Sequence, residues 1–108
     1  MSTLTLTDMA APLRALRLLT AEYGHLPAPT VQVSTVYPDR LELTFHDDLS
    51  DFEAWRGVLG IAPSSVEYGE QSDGRTRVLR AQVDYAGALL RLTGYATIYE
   101  AATVGGAA

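Results

Sequence analysis

The segment Leu49-Ser50-Asp51-Phe52-Glu53-Ala54-Trp55-Arg56-Gly57-Val58-Leu59-Gly60-Ile61 constrains the fold more than any other. It spells a complete short helix with its own start and stop. Ser50 reads as the N-cap, with Glu53 three positions on completing a capping box. Asp51 places a negative charge near the positive end of the helix dipole. Phe52, Trp55 and Leu59 fall on one face, with Val58 beside them. Gly60 ends the helix and Pro63 prevents its continuation. Trp55 is the only tryptophan in the chain. With this helix as anchor, the flanking segments lay out as helices packed on an antiparallel sheet.

A first helix is expected over about Asp8 to Tyr23, capped by Thr7 or Asp8. Leu13, Leu16, Leu19 or Thr20, and Tyr23 make its apolar stripe. Arg14, Arg17 and Ala21 lie opposite. Pro12 fits best in a first turn, so regular helix begins at Ala11 or Pro12 after an irregular turn. Gly24 is the stop. His25-Leu26-Pro27-Ala28-Pro29 is an extended linker, because each residue before a proline is pushed out of the helical region.

Val31, Val33 and Thr35 alternate with Gln32 and Ser34, the pattern of a half-buried strand. Tyr37-Pro38-Asp39-Arg40 is a turn with proline at its second position. Leu41, Leu43 and Phe45 then alternate with Glu42, Thr44 and His46. The last third reads as a β-meander. Val66 and Tyr68 lie on a strand ending near Glu70, and Gln71-Ser72-Asp73-Gly74 is a hairpin turn. Leu79, Ala81, Val83 and Tyr85 alternate with Val78, Arg80, Gln82 and Asp84. After a turn at Ala86-Gly87, Leu90, Leu92, Gly94, Ala96 and Ile98 point inward.

The expected fold is α+β, a two-layer sandwich in the order α-β-β-α-β-β-β. Two helices lie on one face of a mainly antiparallel four- to five-stranded sheet. The repeated helix-then-hairpin layout suggests a loose duplication, without any residue-level repeat. The 108 residues form a single domain, with a disordered tail at about 101–108 that has little to bury.

Composition narrows the function. The chain is 47% hydrophobic and 19% charged, an ordinary globular balance. Its formal net charge is −5, and its eight basic residues are all arginine, scattered from Arg14 to Arg91. No basic stripe is visible, which argues against nucleic acid as partner. Without cysteine there are no disulfides, thiolate metal sites or cysteine nucleophiles. The N-terminus lacks a signal-peptide pattern, and no apolar run approaches the roughly 18 residues of a membrane span. A cytoplasmic location and no membrane association are expected.

The stretch from Tyr37 to Ile61 carries Pro-Asp-Arg, then His-Asp-Asp, then Phe-Glu-Ala-Trp-Arg. It resembles short uncharacterised proteins of high-GC actinobacteria and their mobile elements. The all-arginine basic set and the fifteen alanines are similar in style. The resemblance covers Leu13 to Ile98 and implies a bacterial cytosolic or phage-related setting. It implies no activity, cofactor or catalytic residue.

His46-Asp47-Asp48 is the cluster richest in chemistry. A histidine and two carboxylates suit a divalent metal or a general base with its orienter. Consecutive strand residues point to opposite faces, however, and the only other histidine is His25. The cluster therefore reads as a polar strand end entering a helix N-terminus. No Gly-x-Ser-x-Gly elbow, phosphate loop or calcium loop is present. Trp55 suits an interface anchor, but its spacing from Phe52 favours the core.

The last hairpin offers the more informative surface. Arg80, Gln82 and Asp84 are expected to share a face with Arg91, Thr93, Tyr95 and Thr97. Leu89 and Tyr99 then become isolated exposed apolar residues. Arg80, Gln82, Arg91, Thr93 and Tyr95 are the expected partner-binding residues. The expected function is a non-enzymatic protein-interaction or assembly module, acting through a sheet edge or this open face on a protein partner or a second copy. No catalytic residue, metal or cofactor is assigned. The alternatives are a small metal-dependent hydrolase centred on His46 and Asp48, and a weak nucleic-acid-binding module with Tyr95 as a stacking platform.

Overall fold

A computed structural model of the chain describes residues 3–71 and 74–97. Helices α1 (Ala10–Tyr23) and α2 (Leu49–Val58) accompany strands β1 (Thr30–Gln32), β2 (Arg40–His46), β3 (Glu67–Gln71), β4 (Thr76–Tyr85) and β5 (Ala88–Thr97). The strands form one sheet in the order β1-β2-β5-β4-β3. Three neighbouring pairs are antiparallel, and β2 runs parallel to β5. The fold is α+β, with both helices packed on the β2–β5 centre of the sheet. Among the described residues no helix is long and apolar enough to cross a membrane.

The core follows the strand alternation. Leu41, Leu43 and Phe45 of β2 and Ala88, Leu90 and Leu92 of β5 are buried beneath the helices. From above, α1 contributes Ala15 and Leu19, and α2 contributes Phe52 and Trp55. The rings of Phe45 and Phe52 meet edge-on, with centroids 6.3 Å apart. Gly94 of β5 lets α2 come close. A β-carbon there would lie 3.0 Å from Leu49 Cδ2 and 3.2 Å from Phe52 Cδ2.

Both helix starts differ from expectation. A 3-10 turn over Leu6–Met9 precedes α1, and the Thr5 N–H donates to Asp8 Oδ2 at 2.8 Å, so Asp8 closes that turn rather than capping α1. Regular helix begins at Ala10, with Pro12 in its first turn and buried. The buried stripe runs through Pro12, Ala15 and Leu19, flanked by Leu16 and Tyr23. Thr20 is exposed and instead returns its hydroxyl to the Leu16 carbonyl at 2.9 Å. Gly24 ends α1 with ordinary right-handed dihedrals.

In α2 the N-cap is Asp48, not Ser50. Asp47 takes φ +66°, which leaves Asp48 extended, and Asp48 Oδ1 accepts from the Ser50 N–H at 3.0 Å. Helix therefore starts at Leu49, two residues earlier than a Ser50 cap allows. Glu53 is released from the expected capping box and pairs with Arg56 at 2.9 Å. The expected stop holds. With Gly60 at φ +72°, the Ile61 N–H reaches the Arg56 carbonyl and the Gly60 N–H reaches the Gly57 carbonyl, a Schellman motif. Val58 is exposed rather than packed.

The first strand is shorter than the Val31–Thr35 alternation suggests. Beyond Gln32, the Ser34 hydroxyl captures the Val36 N–H at 3.0 Å, and the Arg40 N–H closes the expected turn onto the Tyr37 carbonyl. Local hydrogen bonds of this kind compete with a ladder. The β3–β4–β5 meander is as expected. Ala86 and Gly87 form a two-residue turn with φ +52° and +85°, both positive as a type I′ hairpin requires. Val78, expected outward with the polar residues, is only 1% exposed. Ser72, Asp73, Ile98, Tyr99 and the tail from 101 lie outside the described residues.

Candidate interaction surface on the open sheet face

Because both helices cover one side, the other side of the sheet is open. Strand register sets its pattern. Gln82 of β4 faces Arg91 of β5, which faces Glu42 of β2. One step along, Glu67, Arg80, Thr93 and Thr44 form a second row across β3, β4, β5 and β2. The third row is Gly69, Val78, Tyr95 and His46. Arg80, Gln82, Arg91, Thr93 and Tyr95 are thus gathered on one surface. Arg80 and Arg91 are diagonal neighbours, which places their β-carbons roughly 7 Å apart.

These two arginines differ from the third on the face. Arg40 is held in place: its guanidinium lies 3.8 Å over the Tyr37 ring and pairs with Glu42 at 3.0 Å. Glu42, the register neighbour of Arg91, is thereby engaged. Among the described residues, Arg80 and Arg91 make no ion pair. Both are half-buried, and with Gln82, Glu67 and Ser65 they line a depression of about 260 Å³. Two fixed forks of donors without carboxylate partners suit a planar acceptor such as a carboxylate.

Tyr95 is not a bare platform. His46 stacks on it, with centroids 5.4 Å apart and planes 13° from parallel. The pair borders a second, shallower depression of about 450 Å³ with Thr76 and Thr97. Val78 sits next to Tyr95 in the same row and is buried beneath its neighbours on this face.

The His46-Asp47-Asp48 cluster diverges. His46 lies on the open face against Tyr95. Asp47 turns the chain and its N–H donates to the Tyr95 carbonyl at 2.7 Å. Asp48 caps α2, and the Ser50 hydroxyl and N–H that bond to it hold its carboxyl below the usual aspartate range. Among the described residues, no three His, Asp or Glu side chains gather at metal-binding spacing.

The sequence reading missed His46 as the partner of Tyr95, and missed Glu42 and Thr44 as neighbours of Arg91 and Thr93. The alternation of β2 marks all three as outward. Their place beside β5 depends on a parallel pairing between strands more than forty residues apart, which no local pattern announces.

Trp55 belongs to the other side of the sheet. It is 5% exposed, and its indole N–H donates to the Pro27 carbonyl at 2.8 Å. It closes one wall of an apolar cleft of about 220 Å³ beneath the 25–29 linker, shared with Leu16, Tyr23, Leu26 and Val31.

Comparison with known proteins gives no match among protein families, curated proteins or solved structures.

Proposed function

We propose that this protein is a non-enzymatic cytoplasmic interaction module whose open sheet face binds an acidic segment of a protein partner. The observation that carries this reading is the pair Arg80 and Arg91. In a chain of net charge −5, these two half-buried arginines flank a depression and have no carboxylate partner among the described residues. Gln82 and Thr93 add neutral hydrogen-bonding groups, and the His46–Tyr95 stack adds a flat apolar wall. Aromatic residues and arginine are the types that anchor protein interfaces.

The charge pattern favours a peptide over a nucleic acid. By register the face carries Arg40, Arg80 and Arg91 against Glu42, Glu67 and Asp84, so its formal charge balances. A polyphosphate backbone needs a continuous cationic track. A peptide with one or two carboxylates needs only a local fork, and the surrounding acids exclude longer polyanions.

The test is fluorescence anisotropy with a labelled decapeptide rich in glutamate and leucine, beside a single-stranded oligonucleotide of equal charge. The peptide should bind, and Arg80→Glu or Arg91→Glu should abolish binding while circular dichroism stays unchanged. Tighter binding of the oligonucleotide, or peptide binding indifferent to both substitutions, would refute the proposal.

A further inference from the structure

Among the described residues the sheet ends in β1 and β3, since β4 and β5 are each paired on both sides. The final hairpin therefore offers a face and no edge. The two true edges differ. β1 is three residues long and follows Pro27 and Pro29, devices that blunt an edge. β3 has five residues, Glu67-Tyr68-Gly69-Glu70-Gln71, and its side chains are largely exposed. Tyr68 is 57% exposed, on the side where the helix layer has already ended.

We infer that β3 is the site at which two copies of this chain join, antiparallel, with Gly69 facing Gly69 of the second copy. This goes beyond the acidic-partner reading and does not depend on it. The argument is one of register. Two antiparallel edges related by a two-fold axis must place some residue opposite its own copy. With Gly69 on the axis, all five residues of β3 overlap. Glu67 then faces Gln71 of the second copy, and Tyr68 faces Glu70. No carboxylate meets another. A Glu70 axis would oppose Glu70 to itself, and a Tyr68 axis would leave Glu70 and Gln71 without strand partners. Like charges directly opposite each other are destabilising, so the sequence of β3 selects one register.

The side chains suit that register. The Tyr68 hydroxyl already donates to Glu70 of its own strand at 2.8 Å. In the dimer the same donor meets the same kind of acceptor across the seam, so no polar group is stranded. Arg77, whose guanidinium lies 5.8 Å from the Tyr68 ring, adds a cation on that side. On the open side, Gly69 puts no side chain at the axis. The two-fold axis stands perpendicular to the sheet. The product is one ten-stranded sheet with four helices on one side and two adjoining open faces on the other.

The chain has no cysteine, so a single introduced thiol reports one position. At Gly69 the nearest atom to an added β-carbon is Arg80 Nη1, 3.9 Å away, so Gly69→Cys leaves the protomer unchanged. Light scattering across concentration should show a dimer. A short bismaleimide should link Gly69→Cys to itself, and should not link Val31→Cys on the other edge. Gln71→Glu sets a carboxylate opposite Glu67 at both symmetric positions, and Gln71→Lys sets a cation there. Dissociation constants should rise and fall by about two- to thirtyfold, respectively. A monomer at every concentration overturns the inference. So does a dimer that fails to cross-link through Gly69→Cys or is equally tight in both Gln71 variants. Arg91→Glu should leave the dimer intact, so peptide binding that persists in that variant counts only against the open-face reading.

Discussion

Trp55 ties three parts of the fold together, and removing it should show how much they depend on one another. The indole packs against Phe45 at 6.3 Å between centroids and donates to the Pro27 carbonyl, 28 residues away in sequence. Trp55→Ala removes a buried ring, at a cost of about 3–5 kcal/mol. Trp55→Phe keeps most of the apolar contact and loses the hydrogen bond. That bond is worth about 0.5–1.5 kcal/mol, and the smaller ring adds about 1 kcal/mol at the rate of one or two buried methylenes. The phenylalanine variant should therefore lose about 2 kcal/mol. With a urea slope of about 1.5 kcal/mol/M, midpoints should fall by roughly 2–3 M for alanine and 1–1.5 M for phenylalanine. Far-ultraviolet circular dichroism is the appropriate readout, because the variants carry no tryptophan. In the wild type, emission should be blue-shifted and poorly quenched by acrylamide. Water-like emission, or an alanine variant whose midpoint moves by less than about 0.5 M, would refute the placement of Trp55 in the core.

Asp48→Ala should destabilise the domain and Ser50→Ala much less, since Asp48 holds the cap; urea midpoints of the two variants settle the order. The folded carboxyl of Asp48 titrates below its unfolded value, so its contribution is present above the unfolded pKa and lost as pH falls through the folded one. Wild-type stability should drop in that acid range, and the drop should shrink in Asp48→Asn. Ala86→Asn should raise stability by about 1 kcal/mol, because alanine is strained at φ +52° and asparagine favours that turn position; an unchanged melting temperature would contradict this. Gly94→Val should cost about 1–3 kcal/mol by overpacking against Leu49 and Phe52. Gly57→Ala, whose β-carbon meets nothing in the last turn of α2, should gain about 0.5–1 kcal/mol; equal effects at the two glycines would contradict the packing described for Gly94.

The elements of this protein were legible wherever a local rule governs them. Alternation in β2, β4 and β5 identified the buried residues Leu41, Leu43, Phe45, Ala81, Leu90 and Leu92. Helical spacing found Phe52 and Trp55, and Gly60 and the Ala86-Gly87 turn were marked by their backbone needs. The same alternation placed Arg80, Gln82, Arg91, Thr93 and Tyr95 on one surface, because period-two patterning survives whatever the strand pairs with. Helix starts were harder to place. Ser50 and Asp48 are both good caps, and only the left-handed turn at Asp47, pinned by its hydrogen bond to Tyr95, decides between them.

Which strands are neighbours is a tertiary matter. Nothing near Arg40–His46 in the chain announces that it will run parallel to Ala88–Thr97, since that pairing is rewarded only after a helix and two strands have been placed between them. From it follow the stacking of His46 on Tyr95, the place of Glu42 beside Arg91, and, among the described residues, β3 rather than the last hairpin as a free edge. The sequence by itself determined the elements and their faces, because propensity and periodicity act within a few residues. The tertiary structure decided the neighbours and the edges, because those depend on long-range packing of the faces against one another.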